Sequence, residues 1–68
     1  MNGPELFRAA LKERGLTQNE LERRIGVQPG TASRWSSGDR SPSLRHALAI
    51  QQELGVPPEA WLATSKSA

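Results

Sequence analysis

The sequence predicts an all-α fold of five short helices, on three observations. Apolar residues recur at the three- and four-residue spacing of a helix face rather than the alternation of a half-buried strand. Glycine or proline stands at the places where one apolar face ends and the next begins. One helix start carries a signature in which four residues agree: Thr17 and Glu20 form a capping box, and Leu16 and Leu21 a hydrophobic staple across it.

Each element follows from its own residues. Pro4 suits a first helical turn, where its missing N–H is no loss, and Gly15 suits the left-handed position past a helix end. Between them Leu6, Phe7, Ala10 and Leu11 share one face, so the first helix is expected over 4–14. The second opens on the Thr17 cap, turns Leu21 and Ile25 inward and closes at Gly26 after about two turns. Pro29 is placed as the first residue of a third helix, with Gln28 as its cap, running to Ser36 or Ser37 with Ala32 and Trp35 on the inner face.

Residues 36–42 have the composition of a loop. A fourth helix from about Ser43 to Leu54 is expected to bury Leu44, Ala47, Leu48, Leu54 and part of Ile50. Val56-Pro57-Pro58 then forces an extended residue and a fresh helical start, leaving 59–63 as one or two turns that carry Trp61 and Leu62. The expectation is a single domain over 1–68, with its core over about 4–62 and a frayed tail at 63–68.

Composition narrows the function. The chain has no cysteine and one histidine, His46, without carboxylates at ligand spacing, so His46 reads as a surface residue and no metal site is expected. No glycine-rich phosphate loop or nucleophile–base pair stands out, and neither an enzyme nor a cofactor is expected. No apolar run approaches the roughly 20 residues of a membrane span, and the first residues lack a secretory pattern, so a cytoplasmic protein is expected. The charge is uneven: Arg23, Arg24, Arg34, Arg40 and Arg45 stand against Asp39 alone over 23–45, a local +4 in a chain of net +2. Clustered arginine is the footprint of a polyanion partner, or equally a solvated basic face.

Spacing and residue type together point further. Leu16-Thr17-Gln18-Asn19-Glu20-Leu21, Ile25-Gly26-Val27, Thr31 to Arg34, Gly38-Asp39-Arg40-Ser41-Pro42-Ser43-Leu44 and Leu54-Gly55-Val56 resemble the helix-turn-helix domains of phage Cro and repressor proteins, the XRE-like family, over residues 5–62. The resemblance implies a compact five-helix, lambda-repressor-like domain that binds double-stranded DNA and regulates transcription by occupancy. It also implies that the second helix lies across the backbone and the third in the major groove.

Carried over by position, Gln28, Pro29, Gly30, Thr31, Ser33 and Arg34 fall where relatives meet bases or groove, and Gln18 and Arg40 where they hold phosphates. Arg34 has the fork geometry for a guanine edge, with a phosphate contact as the alternative. Association of DNA-bound domains in this family makes Trp61 and Leu62 the candidate homodimer surface, unless they close the core of their own monomer. Arg23 and Arg24 are open between the duplex and the solvated side.

Some positions depart from the family's pattern. Pro29 and Gly30 replace polar side chains, Glu22 replaces a small residue and Ala32 a larger aliphatic. The stem of Glu22 is expected to cover Ala32, with its carboxylate reaching solvent or a nearby arginine. Trp35 replaces an aliphatic residue and reads as a core anchor whose indole needs a partner. These departures leave a second reading beside DNA binding, a protein-interaction module on the same fold.

Overall fold

The computed structural model describes residues 2–64, which form four α-helices and a 3₁₀ segment, with no strand among them. The helices are α1 (Gly3–Arg14), α2 (Gln18–Ile25), α3 (Thr31–Ser37) and α4 (Leu44–Leu54), followed by the 3₁₀ segment Pro58–Thr64. The expected fifth helix is thus a 3₁₀ segment. Pro57 and Pro58 stand at its start, and its opening bond runs from the Ala60 N–H to the Pro57 carbonyl at 3.0 Å. Ala63 and Thr64, expected in a frayed tail, belong to this segment, and 65–68 lie outside the described residues.

Capping fixes the starts. The Thr17 hydroxyl accepts the Glu20 N–H at 3.1 Å while the Glu20 carboxylate accepts the Thr17 N–H at 2.9 Å, as the sequence predicted. A second capping box, between Asn2 and Glu5, starts α1 one residue earlier than expected. Its Asn-x-x-Glu spacing stood in the sequence beside the more conspicuous Pro4, which falls second in the helix. Ser43 caps α4.

The core gathers Phe7 and Leu11 of α1, Leu21 of α2, Ala32 and Trp35 of α3, and Ala47, Ile50 and Leu54 of α4. Val56, Ala60 and Trp61 close it from the C-terminal side. Phe7 is the hub of the aromatics, edge-on to Trp35 at 6.1 Å and to Trp61 at 5.8 Å between ring centroids. Trp61 therefore serves its own monomer's core and is withdrawn from any homodimer surface, while Leu62 is 77% exposed.

Two expectations for α4 are corrected. Leu44 and Leu48 are 71% and 46% exposed, whereas Ile50 is fully buried. The helix turns Ala47, Ile50 and Leu54 inward at three- and four-residue steps, which carries Leu44 to the rim and Leu48 outward. His46 is half-buried with its ring tilted against Trp35 at 5.7 Å, rather than a plain surface residue.

Candidate nucleic-acid interface

The junction between α2 and α3 differs from the expected one. Pro29 is not the first residue of α3 and Gln28 does not cap it. Gln28 to Thr31 form a β-turn, in which the Thr31 N–H donates to the Gln28 carbonyl at 3.2 Å and Gly30 sits at φ 94°, ψ −16°. Pro followed by a left-handed Gly is the pattern of a type II turn, and that reading of the dipeptide outweighs proline's preference for a first helical turn. With Gly30 at its N-cap position, α3 has no capping side chain of its own.

The cap comes from α2. Glu22 is 4% exposed, and its Oε2 accepts the N–H groups of both Gly30 and Ala32 at 2.9 Å. Its carboxylate thus turns Oε2 inward onto backbone N–H groups and forms no ion pair with an arginine, although Glu22 borders a groove that Arg23 also lines. It lies at the positive end of α3, where backbone N–H groups would otherwise lack partners, and two charge-assisted bonds offset the cost of burying it. A capping interaction of this kind contributes about 1 kcal/mol.

The far end of α3 is held from the other side. Arg8 of α1 donates to the Ser36 carbonyl, a long-range contact with no sequence signal. The buried Ser36 hydroxyl accepts from the Gln18 Nε2 at 2.9 Å and donates to the Ser33 carbonyl at 3.0 Å. The carboxamide of Gln18, first residue of α2, is thereby tied to the last turn of α3. Ser36 was missed in the sequence because a serine near a helix end and a loop reads as solvent-exposed.

Between these supports α3 presents an open face. Gln28, Pro29, Gly30, Thr31, Arg34 and Arg40 line one surface concavity of about 290 Å³, with Trp35 at its base. The structure thus brings six predicted residues together and leaves two apart: Ser33 is exposed outside the concavity, and Gln18 lies at the Ser36 end. Among the described residues the guanidinium groups of Arg34 and Arg40 have no hydrogen-bond partner, so both are available to an anion. Other arginines are committed: Arg24 pairs with Glu53 of α4 at 3.4 Å, and Arg14 reaches the Leu54 carbonyl at 3.5 Å. Arg23 borders a neighbouring groove with Asn19, Glu22, Val27 and Pro29. No group of three or more potential metal-ligating side chains occurs among the described residues. No described helix is long and apolar enough to cross a membrane.

Two short helices about a tight turn, with Arg34 on the second and Arg40 in the loop after it, form a helix-turn-helix, the motif of DNA-binding regulators. A family model described as helix-turn-helix matches residues 7–61, and the chain belongs to that family, as a Cro/repressor-like member of the XRE type. No curated protein and no solved structure gives a significant match.

Proposed function

We propose that the chain is a transcriptional repressor that inserts α3 into the major groove of double-stranded DNA and acts by occupying promoter sequence. On this reading Gln28, Pro29, Gly30, Thr31, Ser33 and Arg34 meet the groove, with Arg34 on a guanine edge, while Gln18 and Arg40 hold phosphates. The observation that carries it is the convergence of six of these residues on one concavity with two unpaired guanidinium groups. The proposal includes no catalytic step and no cofactor, and it locates the protein in the cytoplasm, on the nucleoid when bound. A homodimer built on Trp61 is not part of it, because that indole belongs to the monomer core.

Equilibrium binding of the chain to a random duplex pool, followed across a salt series, tests the reading. Affinity should fall linearly on logarithmic axes, with a slope of roughly −0.9 for each phosphate neutralised. Sequencing the retained duplexes should return a motif. A folded chain with no salt-sensitive affinity for any duplex at low ionic strength overturns the proposal, and the protein-interaction module would replace it.

A further inference from the structure

Glu22 is the one buried ionisable side chain among the described residues, and both of its hydrogen bonds fall on a single oxygen, Oε2. Those bonds reach the third residue of the Gln28–Thr31 turn and the second residue of α3, so one atom of α2 fixes the turn and the helix start together. Gly30 contributes no side chain to take over the task.

We propose that Glu22 is a positioning residue for DNA reading: its acceptor oxygen, rather than its charge, sets where α3 begins and how Thr31 and Arg34 are presented. This rests on the assignment of α3 as the DNA-contacting helix. The arrangement also commits the Gly30 and Ala32 N–H groups inside the protein, so the start of α3 does not offer them to a phosphate. Backbone contacts then fall to Gln18 and the arginines.

Two variants separate oxygen from charge. Glu22→Gln keeps the reach and an oxygen with two lone pairs, and removes the charge. Glu22→Asp keeps the charge and withdraws the oxygen by one methylene. Duplex affinity is measured for both beside wild type, together with amide hydrogen exchange at Gly30 and Ala32 by NMR. Glu22→Gln should hold both amides protected and bind within about twofold of wild type. Glu22→Asp should exchange those two amides about tenfold faster and bind about tenfold more weakly, with core amides such as that of Ile50 unchanged, as expected for loss of the two hydrogen bonds.

The opposite pattern, with Glu22→Asp binding as wild type and Glu22→Gln impaired, overturns the inference, as does equal binding by all three proteins. A wild type that binds no duplex overturns the assignment of α3 and this inference with it. Failure of the inference alone is recognised because wild type still binds. If Glu22→Asp does not fold, Glu22→Gln decides the matter: loss of protection or of affinity there refutes the role of the oxygen.

Discussion

Gly3 lies against the fused rings of Trp61 so closely that a methyl group on its Cα would come within 2.5 Å of Cε3 and 2.7 Å of Cδ2. The first turn of α1 and the 3₁₀ segment close on each other through a residue without a side chain. Gly3→Ala should therefore destabilise the fold by about 1–3 kcal/mol, the usual cost of overpacking, even though alanine favours a helix by nearly 1 kcal/mol. Thermal unfolding is the check. The midpoint should drop by roughly 4–8 °C for each kcal/mol lost in a domain of this size, and an unchanged midpoint would refute the close packing.

Gln18→Ala removes the carboxamide tied to Ser36. On the proposed reading it weakens binding to every duplex alike and leaves the salt slope unchanged, because a neutral carboxamide displaces no counterion. Ser36→Ala should reproduce part of that loss, because the hydroxyl orients the amide. A change confined to one duplex sequence would speak against a backbone contact.

Arg34→Ala tests specificity at the concavity. Loss of a bidentate guanine contact should cost about 1–3 kcal/mol on the preferred site and relax the preference at one base pair. Affinities measured on a set of single-base variants of that site resolve the effect by position. Uniform weakening across the set would move Arg34 to the phosphates.

Glu20 supplies a dependence on pH. The backbone N–H of Thr17, and then its hydroxyl, hold the Glu20 carboxyl below its ordinary value of 4.5. Because the folded value is the lower one, the stabilisation is present above about pH 4.5 and is lost as pH falls through the folded value. Glu20→Gln should flatten that part of a melting-temperature profile between pH 3 and 7, and an unaltered profile would show that the carboxylate is not the group responsible.

What was legible in the sequence was what is local in space. The Thr17–Glu20 box and the glycine helix ends bring together residues three or four apart, and the structure has them where expected. The inward face of α1 was read equally well, because it needs only periodicity. The outward turn of Leu44 and Leu48 was not legible, since α4 has more apolar positions than the core can take and only packing decides between them. Glu22 was misread for a related reason. Its partners are eight and ten residues away, across a turn whose geometry had first to be recognised. At the interface, the family resemblance gathered Gln28 to Thr31, Arg34 and Arg40 but also Ser33, which lies outside the concavity, and nothing local signalled the supports contributed by Arg8 and Ser36.

The left-handed Gly30 has a consequence for how such a protein finds its place on a chromosome. Two adjacent positions at the head of α3, Pro29 and Gly30, offer no side-chain hydrogen bond, and at φ 94° a larger residue could not be installed at the second without strain. On the proposed reading most discrimination then rests on Arg34, and one good bidentate contact distinguishes a base by about 1–3 kcal/mol. A genome presents roughly 10⁶–10⁹ competing sites, so the information read by a single molecule is orders of magnitude too small to name one promoter.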